Sequence, residues 1–241
     1  MTSVKYATKP LQRADRRIPA TMQPETSDEP LRRLVNVAVA AVGLVAATPL
    51  MAAIAFAVRV TSRGPVFYTQ TRVGLDRRAL GVPPGNNRRR TDCGGKPFKI
   101  YKFRTMAAHR SVSQNGDEVW AQPDDPRVTP VGRILRLYRL DELPQLINVL
   151  RGDMDVVGPR PEQPTIFARL RTQIERYQDR QRVRPGITGW AQINQRYDSN
   201  VDDVRSKLQY DLEYISRRST VEDLKIMLRT LPVVLRKQGA W

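Results

Sequence analysis

Leu140-Asp141-Glu142-Leu143-Pro144-Gln145-Leu146-Ile147-Asn148-Val149-Leu150-Arg151-Gly152 sets two adjacent carboxylates directly ahead of an apolar helical pattern. Leu143, Leu146, Ile147 and Leu150 fall at i, i+3, i+4 and i+7, and Gly152 supplies a C-terminal stop. The spacing therefore predicts a helix opened by Asp141 and Glu142. A carboxylate pair there has a structural explanation, because acidic side chains cap free N–H groups and suit the positive end of a helix dipole. It also has a chemical one, because the same end of a helix receives phosphate.

Outward from this stretch, charge narrows the choice. The 241 residues carry 41 Lys and Arg against 24 Asp and Glu, a formal net charge of +17. Such an excess calls for polyanionic partners: nucleic acid, an anionic membrane surface or phosphorylated substrates. One cysteine, Cys93, excludes an internal disulfide framework and multi-cysteine zinc sites. The single histidine, His109, leaves one candidate base for a Ser-His-Asp mechanism, and nothing else in the sequence supports one.

Leu34 to Val58 runs without a formal charge. As a straight helix it would extend about 37 Å, enough for a bilayer core. Thr48-Pro49 interrupts it, and proline removes a backbone hydrogen bond. Both flanks are basic, with Arg32 and Arg33 before and Arg59 and Arg63 after. Equal positivity suits a hairpin that enters and leaves one leaflet, with the break at Thr48 and Pro49; a kinked spanning helix is the alternative.

The expected organisation is a flexible polar tail over 1–30, a re-entrant membrane helix over 31–60 and a cytoplasmic domain over 61–241. Pro65–Val73 and Pro97–Thr105 read as short strands, joined by a basic loop insertion over 76–95. Thr129-Pro130 starts a helix towards Tyr138. Ile166, Leu170, Ile174 and Tyr177 mark another, and Val201, Val204, Leu208, Leu212 and Ile215 a third. Ser219-Thr220-Val221-Glu222 is a capping box for a last helix reaching about Arg236, whose Leu224, Met227, Leu228, Leu231 and Leu235 serve either core packing or an anionic lipid interface. The fold class is α/β, helix-rich with a small sheet, carrying interfacial amphipathic helices.

Taken in order, the motifs resemble one family. Gly64-Pro65-Val66-Phe67-Tyr68-Thr69-Gln70, Arg72-Val73-Gly74, Phe98 to Met106, Asp125 to Thr129, Leu140 to Gln145, Asn148 to Met154, Val157-Gly158-Pro159-Arg160-Pro161 and Arg184 to Gln192 form the set. The chain is similar over 31–241 to the bacterial sugar transferases, the monotopic polyprenyl-phosphate phosphoglycosyl transferases of the compact, exopolysaccharide-initiating kind. That resemblance implies transfer of a sugar 1-phosphate from a UDP-sugar to polyprenyl (undecaprenyl) phosphate, through an aspartyl-phosphosugar intermediate and with release of UMP. Asp141 and Glu142 map onto the family's catalytic dyad. Lys102, Arg136, Arg160, Arg184 and Thr188 become substrate-binding candidates. Magnesium, held by Asp141, is the implied cofactor. Anionic lipids and downstream glycosyltransferases are implied partners, specific nucleic acid is not, and the location is the cytoplasmic face of a bacterial inner membrane. Arg139 departs from the pattern, standing where a small hydroxyl residue is frequent.

Two other readings compete. Asp153-Met154-Asp155 could be the metal-binding DxD of a nucleotide-sugar glycosyltransferase, which would release UDP. Net charge alone would also suit a membrane-tethered nucleic-acid-binding module, without any recognisable binding signature behind it.

Overall fold

The structure, a computed structural model, describes residues 28–76, 92–107, 125–195 and 201–235. The tail up to residue 27, most of the basic insertion, His109 and the C-terminal Gly239-Ala240-Trp241 lie outside the described residues, while Glu29 and Pro30, expected in the tail, belong to the first helix. Helix α1 (Glu29–Thr61) is followed by β1 (Phe67–Val73), β2 (Pro97–Phe103) and α2 (Pro130–Leu137). A 3-10 turn (Leu140–Glu142) leads into α3 (Gln145–Arg151), β3 (Asp155–Val157) and α4 (Pro164–Gln173). A second 3-10 turn (Tyr177–Arg182), β4 (Gly186–Thr188), α5 (Trp190–Asn194), α6 (Val201–Arg217) and α7 (Thr220–Leu235) complete the order. The domain is helix-rich, as the sequence implies, but has two small sheets where one was expected.

β1 and β2 pair antiparallel from Phe67 opposite Phe103 to Val73 opposite Pro97. β3 and β4 pair in parallel, Asp155 beside Gly186 and Val157 beside Thr188. Val149, Met154, Val157, Val183, Tyr214 and Ile226 gather α3, β3, α6 and α7 around one core. Phe167, Leu170, Tyr177, Val204 and Leu208 form a second beneath α4 and α6.

The expected helix from the carboxylate pair to Leu150 is divided. Asp141 and Glu142 lie in the 3-10 turn, and α3 begins only at Gln145. Pro144, with no N–H to donate, stands where a continuous helix would need one. The dyad therefore precedes α3 rather than capping it. The stop is as expected, since Gly152 adopts φ 80°, a left-handed conformation that glycine enters without steric cost. Likewise Thr129 caps α2 by accepting from Gly132 N at 2.9 Å, and Ser219 Oγ accepts from Glu222 N at the start of α7. The helix expected through Tyr177 ends at Gln173, and Tyr177 opens the following 3-10 turn.

α1 is a single 33-residue helix with Pro49 inside it, where the sequence predicts a break. Thr48 Oγ1 donates to Leu44 O at 2.8 Å, a side-chain bond within the turn that proline weakens. Burial along α1 falls at its two ends: Arg32, Asn36 and Ala40 at one, Ile54 and Val58 at the other. Between Ala40 and Ile54 no side chain is buried. The first end is bound by polar contacts, with Arg32 on Asp223 at 2.6 Å and Asn36 Oδ1 accepting from Val156 N. The second packs Ile54 and Val58 against Phe103 and Leu135, and Arg104 donates to Ser62 O just beyond it. Both ends are thus anchored on one domain. The helix is long and apolar enough to cross a membrane.

On α7, Val221, Leu224, Leu228, Leu231 and Leu235 are exposed, whereas Asp223 and Ile226 are buried. The exposed apolar stripe follows a 3–4–3–4 spacing, which is one helical face.

Candidate active site

Arg139 takes φ 55°, ψ 22°, and turns the chain from α2 into the dyad. A non-glycine residue in that region costs about 1 kcal/mol, and such conformations concentrate at functional sites. Beyond Leu140 come Asp141 and Glu142, 8% and 7% exposed.

The two carboxylates are treated differently. Glu142 Oε1 accepts from Lys102 Nζ at 2.8 Å and from Arg160 Nη2 at 2.7 Å, and Oε2 accepts from Arg160 Nη1 at 3.3 Å. Burial pushes the Glu142 carboxyl upward, but Arg160 and Lys102 outweigh it and hold it well below the usual glutamate range. No side chain among the described residues donates to Asp141. Burial pushes its carboxyl above the usual aspartate range; Lys102, Arg160 and Arg136 pull it down, and the charge of Glu142 adds to the rise. Arg136 on α2 is steered by its Nε bond to Thr105 Oγ1 at 2.9 Å.

Five expected site residues thus share one electrostatic neighbourhood: Asp141, Glu142, Lys102, Arg160 and Arg136. Arg184 and Thr188 make their contacts elsewhere. Arg184 Nη1 meets Glu29 at 3.0 Å and approaches Asp155 at 3.9 Å, in a cluster with Arg218 at the start of α1. Thr188 Oγ1 bonds Thr230 Oγ1 of α7 at 2.8 Å. Trp190 is a packing residue: it leans on the core, its Nε1 donates to Glu213, and Arg217 stacks on its ring at 4.3 Å.

The DxD carboxylates are also engaged by arginines, Asp155 by Arg218 and Asp153 by Arg151, with Met154 fully buried between them. No cluster of three or more metal-ligating side chains occurs among the described residues. A magnesium ion still fits Asp141, whose carboxylate has no competing side-chain donor among the described residues, provided that substrate phosphates and water complete an oxygen shell.

One contributor had no role assigned from sequence. Asn148, fully buried on α3, accepts from Tyr101 N at 3.1 Å and donates to Lys99 O at 2.8 Å. It ties α3 to the β2 backbone on either side of Ile100, fixing the strand that carries Lys102. Its signal was its place in the Asn148-Val149-Leu150-Arg151-Gly152-Asp153-Met154 motif.

The bacterial sugar transferase family profile matches residues 27–237. A UDP-N-acetylgalactosamine-undecaprenyl-phosphate N-acetylgalactosaminephosphotransferase of Aeromonas hydrophila is 38% identical over 87% of this chain and 45% of its own. UDP-glucose:undecaprenyl-phosphate glucose-1-phosphate transferases from Escherichia coli and Caulobacter vibrioides are 40% and 39% identical, over 83% and 87% of this chain. The matches cover 39% and 72% of those two relatives, so the chain spans less than half of the first two proteins named.

Proposed function

Because the chain belongs to the bacterial sugar transferase family, we propose that it transfers a sugar 1-phosphate from a UDP-sugar to polyprenyl phosphate, with Asp141 as the nucleophile. The observation that carries this reading is the asymmetry of the dyad: Glu142 is held by two cations, while among the described residues no side chain donates to Asp141. A buried carboxylate without hydrogen bonds is a stronger nucleophile than a solvated one, and phosphorus is within its competence.

In the first step an Asp141 oxygen attacks the phosphorus that bears the sugar. The bond from that phosphorus to the bridging oxygen breaks, and UMP leaves. In the second, an oxygen of polyprenyl phosphate attacks the same phosphorus and the Asp141–phosphorus bond breaks. Polyprenyl diphosphate-sugar is released and the carboxylate restored. Lys102 and Arg136 lie where they can offset phosphate charge, and the Arg160 fork suits paired phosphate oxygens once it shares them with Glu142. Magnesium bound at Asp141 would supply further neutralisation of the diphosphate oxygens.

Placement of α1 as a re-entrant element on the cytoplasmic face belongs to the same proposal. Its two ends hold one domain, which supports having both on one side of the bilayer, and the unburied middle is the part offered to lipid. The exposed stripe of α7 offers a second lipid contact. Cysteines placed at Ser27 and Thr61 in a Cys93→Ser background should both be labelled only from the cytoplasmic side of sealed cells. Labelling of position 27 from outside would establish a spanning helix.

The chemical test omits the acceptor. With magnesium and a panel of UDP-sugars, rapid quenching should show UMP release and one sugar phosphate gained by the protein, mapped to Asp141. Release of UDP would overturn the mechanism in favour of simple glycosyl transfer.

A further inference from the structure

Arg160 reaches Glu142 from a segment that cannot hold itself. Gly158-Pro159-Arg160-Pro161-Glu162 contains two prolines, which have no N–H to donate and which bar the segment from regular pairing. Its carbonyls are instead held from outside. Gly186 N donates to Pro159 O at 3.0 Å, Arg180 Nη2 to Arg160 O at 3.0 Å, Arg72 Nη1 to Pro161 O at 3.2 Å, and Val73 N to Glu162 O at 2.9 Å. Four successive carbonyls thus receive donors from β1, β4 and the 3-10 turn Tyr177–Arg182.

Of these donors Arg180 is the most constrained. Its side chain is 1% exposed. Nε donates to Asp211 of α6 at 2.7 Å and Nη1 to the Tyr177 hydroxyl at 2.7 Å. Glu162 stands 3.7 Å away and is itself paired with Lys207 at 3.2 Å. The fork has one nitrogen left over from these neighbours, and that nitrogen bonds the backbone of the residue that grips Glu142. The bond to Arg160 O satisfies a buried donor and, in the same contact, ties this core cluster to the segment that grips Glu142.

We propose that Arg180 is a positioning residue for the reaction, with Arg72 acting beside it: together they fix the backbone of Arg160 and so set where its guanidinium meets Glu142 and the substrate phosphate. This rests on the phosphosugar-transfer reading given above. A shift of a positioned group by about 1 Å can cost up to 100-fold in rate, so the effect should appear in turnover more than in donor KM.

The test is a double-mutant cycle on the full-length protein in lipid, reading kcat, donor KM and thermal unfolding. Arg180→Lys retains the charge beside Asp211 but lacks a planar fork to serve Asp211, Tyr177 and Arg160 O together. Assayed well below its unfolding temperature, it should lose roughly 10- to 100-fold in kcat. In an Arg160→Ala background the same change should cost less than about twofold further, because there is no longer a fork to aim. Arg72→Lys, approaching from the other side, should behave alike and serves as the probe if Arg180→Lys does not fold. Multiplying effects of the Arg160 and Arg180 (or Arg72) changes would overturn the proposal, as would losses matching only the unfolded fraction. Wild-type turnover by Arg160→Ala alone would overturn the assignment of Arg160 itself, and the proposal with it.

Discussion

Two buried charge clusters share the Arg160 segment and are built to opposite rules. Around Arg180, two cations and two carboxylates are matched: Arg180 with Asp211, and Lys207 with Glu162. Around Glu142, two cations serve one carboxylate, and the neighbouring Asp141 receives no side-chain donor among the described residues. A matched cluster spends its electrostatics on itself. An unmatched one holds positive charge and a reactive oxygen in reserve for a ligand, at some cost to the fold. The difference separates structural from chemical charge in a chain with so many arginines.

The largest expected effect tests the unmatched side. Asp141→Asn should lower turnover by at least about 1,000-fold and abolish the phosphosugar adduct. Its unfolding temperature should stay level or rise, since burial disfavours the charged carboxylate. Near-normal turnover would erase the distinction between the clusters.

On the matched side, Asp211→Asn should cost about 3 kcal/mol of stability, by leaving Arg180 buried without its closest counter-charge. Denaturant titration measures this. A loss below about 1 kcal/mol would mean that the cluster is not structural.

Acid should separate the two regions next. Cations around Glu162 overcome its burial and lower its carboxyl to about 2. That depressed value contributes stability that is complete above the ordinary glutamate pKa, about 4.5, and is lost as pH falls towards 2, worth up to about 3 kcal/mol. Asp141 is shifted the other way, and in its proposed role as nucleophile it must be ionised. Turnover should therefore fall with acidification at a pH where circular dichroism still reports a folded protein. Coincident acid limbs of activity and folding would contradict this.

The smallest contrast pairs two lysines. Lys102→Met should raise donor KM or lower kcat about 10-fold with little change in unfolding, whereas Lys207→Met should cost about 1–2 kcal/mol with turnover per folded molecule within about threefold.

The grouping of charges around the dyad was legible in sequence, because its residues stand in short ordered motifs: Lys102 on a strand, Arg136 just before the dyad, Arg160 between prolines. The first two strands, to within two residues at one end of each, and the starts of α2 and α7 were legible too, through proline punctuation and hydroxyl caps; the three-residue strands β3 and β4 were too short to leave a period. The matched side was not legible. Arg180 lies in the basic run Arg176-Tyr177-Gln178-Asp179-Arg180-Gln181-Arg182, which reads as a solvated surface, and its counter-charge is on α6 with no periodic link between them. The division of the dyad helix was missed because the apolar spacing from Leu143 to Leu150 outvoted Pro144. Arg184 shows the converse limit, a motif arginine whose contacts lie at the root of α1.

The root of α1 also dictates an order of assembly. Asp28 accepts from Thr220, and Arg32 is neutralised by Asp223, partners that leave the ribosome some 190 residues later. Until α7 is made, the apolar helix has its middle to give to lipid, but Arg32 has only the partly exposed Glu29 of its own helix and lacks Asp223, without which its burial is unfavourable. The anchor can therefore reach the bilayer early and dock only at the end of synthesis. Nascent chains stalled before Thr220 should carry an α1 that is membrane-bound yet open to protease at its base, and release of α7 should close it.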